Sequence, residues 1–330
     1  MMRSSHATLN AFRPPTRCDP KRSWPLRRLG LGLCARLLVL AACTLAQVAQ
    51  AAIAVRDDGG HRVALAHPAR RIVALSPQLV ELADAAGAGH RLIASIRGAD
   101  WPDSAKSLPR VGDAFAINLE AVVALKPDLI LAWRSGTPPR QIDALQRLGV
   151  PVYWSQTDSL QAIASTVRRI GELAGTVPTA ARWARAFDAR LAAQRARYAH
   201  QPTVRVFYQV WPDPLMTVGG PQLLNQVITL CGGVNPFATL PVLAPSVSRE
   251  AVIAADPQLI VAASRNRAAL DAWMQYGQIS AVRHRQLLLL DPHLLPRMGA
   301  RVLDGVAQLC AAIAHTRQVD GQSAPASSNR

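Results

Sequence analysis

Signatures of enzymatic chemistry are missing from this chain of 330 residues. It has no Gly-x-Gly-x-x-Gly after a strand, no P-loop, no His-Glu-x-x-His and no Gly-x-Ser-x-Gly. Dinucleotide, phosphoryl, metalloprotease and serine-hydrolase chemistry therefore have no motif to rest on. The eight histidines are dispersed, and His61, His67, His90 and His200 fall in predicted turns or at helix ends, where a solvated imidazole is the ordinary reading. Acids are outnumbered, giving a formal charge of +16, yet no basic run is interleaved with aromatics. Eight basic residues and one acid lie in residues 1–51, which leaves about +9 scattered as single or paired arginines over the remainder. That pattern excludes a nucleic-acid partner. Aromatic residues are scarce, at 5% of the chain, so those that fall in loops stand out.

The basic start has its own explanation. After Lys21-Arg22 and Arg27-Arg28 comes an apolar segment from Leu37 to Val48, then Ala49-Gln50-Ala51 with small residues where a signal peptidase cuts. Residues 1–51 are expected to be a signal peptide cleaved before Ala52, which places the mature chain in the periplasm. A transmembrane anchor is the competing reading, but Arg36 interrupts a run that would need about 20 apolar residues. Leu40-Ala41-Ala42-Cys43 also fits a lipoprotein box. Cys18, Cys34 and Cys43 would leave with the leader, and Cys231 and Cys310 remain. In an oxidising compartment these are one candidate disulfide; two unconnected buried thiols are the alternative.

What is present is a duplication. Glu120-Ala121-Val122-Val123-Ala124-Leu125-Lys126-Pro127-Asp128-Leu129-Ile130-Leu131-Ala132 returns 130 positions later as Glu250-Ala251-Val252-Ile253-Ala254-Ala255-Asp256-Pro257-Gln258-Leu259-Ile260-Val261-Ala262. In both copies an acid opens a two-turn apolar run, a proline stops the helix, and a short aliphatic strand follows. Two copies this far apart predict two similar lobes rather than a solenoid. Around them, Arg71–Leu75, Leu92–Ile96, Val150–Trp154, Val204–Val210 and Gln286–Leu290 read as strands. Gln78–Ala86, Leu223–Leu230, Ala268–Tyr276 and Ala300–His315 read as helices, an alternation that implies parallel sheets.

The expected organisation is an N-terminal α/β lobe over 52–157, a linking helical segment over 158–200 punctuated by Gly175 and Pro178, and a C-terminal α/β lobe over 201–317. Residues 318–330 are small and polar and are expected to form a flexible tail. No Gly/Ser linker joins the lobes, and a helical connection resists wide hinge opening. Ligands of α/β lobes sit in the cleft beyond the strand C-termini.

Trp101, Phe115, Trp133 and Trp211 fall in loops or at strand ends there. Their flat faces suit a large planar ligand, although each also reads as a local core residue or loop anchor. Glu120 and Glu250 open equivalent helices, where an acid favours the positive end of the helix dipole. They also form a pair of like charges, one per lobe, that would match two basic sockets on a symmetric partner.

These residues carry a family likeness. Asn118-Leu119-Glu120, Ala124 to Ile130, Ala132-Trp133-Arg134, Cys231-Gly232-Gly233, Val247-Ser248-Arg249-Glu250 and Gln308-Leu309-Cys310 resemble the cobalamin-binding periplasmic proteins of ABC importers (BtuF-like). That group belongs to the class III, helical-backbone metal-receptor substrate-binding family, and the likeness covers about residues 52 to 316.

The resemblance implies two Rossmann-like α/β lobes joined by a long rigid helix, a Cys231–Cys310 disulfide, and a corrinoid held between the lobes. It also implies docking of Glu120 and Glu250 on arginines of a dimeric permease. It carries over Trp101 in place of a tyrosine, Trp133 and Arg297. Ala114 and Ala244 stand where the family has tryptophans, Val210 replaces a phenylalanine, and His293-Leu294 replaces Asp-Trp. Phe115 and Trp211 are the neighbours that would compensate, and His293 joins the candidate ligand residues.

The expected function is thus a monomeric periplasmic binding protein that delivers cobalamin or a related corrinoid to an ABC permease, with no cofactor, no resident metal and no catalysis. Haem and ferric siderophores are the alternative cargoes, since their receptors share the fold. An exported enzyme on a two-lobed scaffold, or a sensor that has lost transport, are the remaining readings.

Overall fold

A computed structural model describes residues 53–147 and 149–323. The expected signal peptide, with its lipoprotein and anchor alternatives, lies outside the described residues. The mature segment opens with a hairpin, β1 (Ile53–Arg56) and β2 (Arg62–Leu65). Its turn closes on Asp57, whose carboxylate accepts hydrogen bonds from the Gly59 and His61 amides, both 2.8 Å.

The first lobe then alternates strand and helix: β3 (Ile72–Ala74), α1 (Pro77–Ala85), β4 (Leu92–Ser95), α2 (Leu119–Ala124), β5 (Leu129–Trp133), α3 (Pro139–Arg147) and β6 (Val152–Ser155). The four strands of its sheet pair in parallel, in the order β4-β3-β5-β6. Ser76 caps α1 by accepting from the Leu79 amide, and Pro77 at the first helical position loses no hydrogen bond there.

The helical segment between the lobes is two helices, α4 (Leu160–Ala174) and α5 (Val177–Tyr198). Gly175, left-handed at φ 65°, ends the first. Both helices pack on α1 of the first lobe, and α4 packs on β1 as well. With 22 residues, α5 is about 33 Å long and leads directly to the second lobe.

That lobe contains β7 (Val204–Pro212), β8 (Leu215–Thr217), α6 (Leu223–Leu230), β9 (Gly233–Val234), α7 (Arg249–Ala255), β10 (Leu259–Ala263), α8 (Ala268–Asp271), α9 (Ser280–Arg283), β11 (Leu287–Leu290) and α10 (Val302–Ser323). Its sheet runs β11-β10-β7-β8, with β9 beside β7. The two copies of the duplicated segment therefore supply central strands, β5 and β10, to separate sheets.

Alternation along the strands explains the layers. Ile72, Leu129, Leu131 and Tyr153 face one core, while Val73, Ile130, Ala132 and Trp154 face another. In the second lobe Val204, Val206, Tyr208, Leu259 and Val261 face that same first core, and Phe207, Ile260 and Ala262 face a third. The inner faces of both sheets and the helices α4, α5 and α10 thus bury their side chains in one continuous apolar cluster. Cys231, which ends α6, and Cys310 of α10 lie within it as a disulfide, with a Cα–Cα distance of 4.6 Å.

Two elements differ from their sequence expectations. The last helix runs to Ser323 rather than ending at His315, so the first part of the expected flexible tail is helical. Asp320 fastens this extra length, accepting from Gln258 Nε2 at 2.5 Å and lying 3.1 Å from His284 Nδ1. The helix expected over Ala268–Tyr276 is α8 alone, followed by tight turns. There Trp273 turns inward, 2% exposed, packs 5.4 Å from the Phe207 ring, and donates from its indole to Gln209 Oε1 at 2.8 Å.

Candidate functional site

The duplicated segments match in backbone as well as sequence. Asn118 caps α2 by accepting from the Ala121 amide at 3.0 Å, and Ser248 caps α7 by accepting from the Ala251 amide at 3.1 Å. Both copies stop in the left-handed region just before proline, at Lys126 (φ 46°) and Asp256 (φ 40°). An arginine of the preceding strand edge then reaches each helix end: Arg71 donates to Leu125 O at 2.7 Å, and Arg205 to Asp256 O at 2.9 Å.

With Asn118 and Ser248 filling the caps, the glutamates are not needed there. Glu120 and Glu250 sit in the first turns, exposed to solvent, and neither forms a salt bridge among the described residues. A hydrogen bond from its own backbone N–H, and one from Ser248, hold the Glu250 carboxyl below the ordinary carboxylate range. That acid is therefore charged at neutral pH.

Between the lobes lies a cleft that encloses about 160 Å³. Gln78, Trp133, Ser135, Gln156 and Thr157 line it from the first lobe and Asp158 from the start of the linking segment; Pro221 to Leu223, Leu243 and Pro296 to Met298 line it from the second lobe. Trp133 ends β5, and its amide donates to Thr137 Oγ1 at 3.1 Å. Its indole lies on Gly136, where any Cβ would overlap the ring, so that glycine is required for the pose.

Of the six residues expected to touch ligand, Trp133 and Arg297 belong to this cleft wall. The other four surround or leave it. Trp101 is 43% exposed, with the Arg301 guanidinium 4.6 Å from its ring centroid. Phe115, 89% exposed, sits on a turn whose amides are held by Asp113. Trp211, next to last in β7, lines a separate hollow of about 380 Å³ with Gln209, Ser264 and Asn266; its indole donates to Asp213 O at 2.9 Å. His293 sits between two guanidiniums, with Nε2 2.7 Å from Arg265 Nη2 and Nδ1 beside Arg297 Nη2; a neutral imidazole accepts from only one of them. Among the described residues no group of three or more metal-ligating side chains comes together.

A cluster that sequence reasoning missed spans the lobes beside this cleft. Glu81, on α1, is 2% exposed; Arg297 reaches it at 3.3 Å and Arg301 at 2.7 Å, both from the loop ahead of α10. Arg297 also bonds Asp100 at 2.5 Å and Gly98 O at 3.3 Å in the first lobe. Burial alone would raise the Asp100 carboxyl, but the Arg297 hydrogen bond and the Arg297 charge outweigh it and hold it below its ordinary value. The partners are about 200 positions apart, so no local spacing announces them. The one available signal was an acid among the apolar residues of α1.

The sequence model of the periplasmic binding protein family matches residues 72–294. The vitamin B12-binding protein of Vibrio cholerae serotype O1 is 37% identical over 244 residues, covering 74% of this chain and 88% of that protein. The vitamin B12-binding protein of Yersinia pestis is 38% identical over 253 residues, covering 76% and 88%. Among solved structures, the periplasmic vitamin B12 binding protein BtuF of Vibrio cholerae superimposes with a TM-score of 0.72 at 36% identity, over 76% of this chain and 99% of that one. A periplasmic heme binding protein from Pseudomonas aeruginosa superimposes with a TM-score of 0.66 at 27% identity, over 74% and 92%. Two α/β lobes on a helical backbone, with a cleft walled by both and relatives of this identity along most of the length, lead to one conclusion: the chain belongs to the periplasmic binding protein family, the substrate-binding components of ABC importers, and is a binding protein rather than an enzyme.

Proposed function

We propose that this protein captures cobalamin or a related corrinoid in the periplasm and hands it, as a monomer, to a dimeric ABC permease. The observation that carries the reading is the cleft built from both lobes, with Trp133 contributed by one and Arg297 by the other. The vitamin B12-binding relatives support the corrinoid assignment. A volume of about 160 Å³ is below the roughly 300–1,000 Å³ of organic-ligand pockets. A corrinoid would therefore extend beyond the cleft, with Trp133 in the wall and the exposed rings of Trp101, Phe115 and Trp211 outside it as the further aromatic surfaces. His293 and Arg297 would meet its polar edge. Glu120 and Glu250 would engage one basic socket in each permease subunit, fixing registry and association rate more than affinity.

A second reading, haem or a ferric siderophore, is favoured by the guanidiniums of Arg265 and Arg297 around His293, which suit ligand carboxylates. Calorimetric titration of the chain beginning at Ala52 with cyanocobalamin, cobinamide, haemin and a ferric siderophore separates the two. Saturable heat with a corrinoid is expected. Heat with haemin alone would move the assignment to haem, and silence with every chelate would remove the proposal.

A further inference from the structure

Glu81 is a carboxylate closed off from bulk solvent, placed where the two lobes meet. Its side chain has no accessible surface, and its two cationic partners belong to the opposite lobe. Both of its oxygens are used: Oε1 takes Arg301 Nη2 at 2.7 Å and Arg297 Nη1 at 3.3 Å, and Oε2 takes Arg301 Nε at 3.3 Å. Backbone closes the remaining side, since a Cβ on Gly299 would stand 2.5 Å from Oε2. A buried acid costs several kcal/mol of desolvation unless its partners are fixed, so a site of this kind holds those partners in one geometry.

One partner, Arg297, is a wall of the cleft. The other, Arg301, lies over the Trp101 ring. We infer that Glu81 is a positioning residue for ligand capture: through Arg297 and Arg301 it sets where the second lobe's cleft wall sits against the Trp101 loop of the first. The inference rests on the binding role proposed above for this cleft. Nothing in it requires Glu81 to touch ligand, because the carboxylate is enclosed. The ion pairs act across the lobe boundary at the cleft, so they bear on cleft geometry, while the strand pairings of each sheet lie within one lobe and do not involve them.

The test uses Glu81→Gln, which keeps shape and removes charge, with Arg297→Gln and the double variant. Cyanocobalamin affinity of Glu81→Gln should weaken about tenfold. In the Arg297→Gln background the same change should cost less than threefold, since the two act as one unit. Hydrogen exchange of the ligand-free protein supplies a readout independent of any ligand. Faster exchange should be confined to residues 98–103 and 293–301, one stretch per lobe, with the strand amides unchanged.

A purely structural glutamate would instead speed exchange across α1 and β3 and leave affinity at fixed temperature within twofold; that result overturns the inference, as does full additivity in the double variant. If Glu81→Gln does not fold, Arg301→Gln removes the same ion pair from the more accessible side. It must give the same two-stretch exchange pattern, and an unchanged pattern rejects the role. Should the parent protein bind neither cyanocobalamin nor haemin, the function proposed above fails, and the exchange pattern still decides whether Glu81 positions the wall.

Discussion

Replacing Cys231 and Cys310 together with alanine should lower the unfolding free energy by roughly 4–6 kcal/mol. The bridge closes a loop with a sequence separation of 79. The chain-entropy relation gives about 4.5 kcal/mol for a loop of that length at 25 °C. Both residues are fully buried in the common apolar cluster. Exchanging each sulfur for nothing adds under about 1 kcal/mol of lost transfer energy apiece. Alanine is preferred to serine, because two buried hydroxyls would introduce a desolvation cost unrelated to the cross-link.

For a chain of this size each kcal/mol moves the melting midpoint by about 2 °C, so a fall on the order of 10 °C is expected. Urea unfolding followed by tryptophan fluorescence measures the free energy, and dithiothreitol applied to the parent should reproduce the loss. The bridge joins the end of α6 to α10, and neither cysteine lines the cleft. Ligand affinity measured well below the midpoint should therefore stay within twofold. A loss under 1 kcal/mol, or a parent indifferent to reductant, would refute the reasoning.

Exchanging Glu120 and Glu250 together for alanine should abolish stimulation of the permease ATPase while cyanocobalamin binding is retained; loss of both activities at once would count against a docking role. Gly299→Ala places a methyl 2.5 Å from the Glu81 carboxylate, and should weaken ligand binding several-fold, with a crystal structure showing the Arg301 contact broken. Acid should act on the same cluster through Asp100, whose carboxyl is held below its ordinary value of 3.8. A depressed carboxyl contributes stability that is complete above its unfolded value and disappears as pH falls through the folded one. Cross-lobe stability should thus be level from pH 7 to 5 and decline only below about 4, and Asp100→Asn should flatten that decline in an acid titration followed by circular dichroism.

The fold was legible because its signals are local. The duplicated helix-proline-strand segments named both sheets, and the unbroken aliphatic run Leu129–Ala132 follows from a strand buried on both faces. Cys231 and Cys310 were readable once the resemblance was in view. The end of α10 was misplaced because what holds it, Asp320 against Gln258 and His284, comes from distant positions. The site was half legible for the same reason. Trp133 announced itself by ending an aliphatic strand, but Phe115 and Trp211 stand apart from the cleft wall, and the Glu81 cluster is made by tertiary pairing alone. Arg297 was identified through the resemblance, while its partners were not.

One interior running through both sheets and the helices between them leaves little slack for the halves to breathe. For a ligand held in the cleft as proposed, release by parting the halves would have to work against that shared interior. A permease engaging both lobes in the way proposed would have to supply the work of parting them, which would tie discharge to docking.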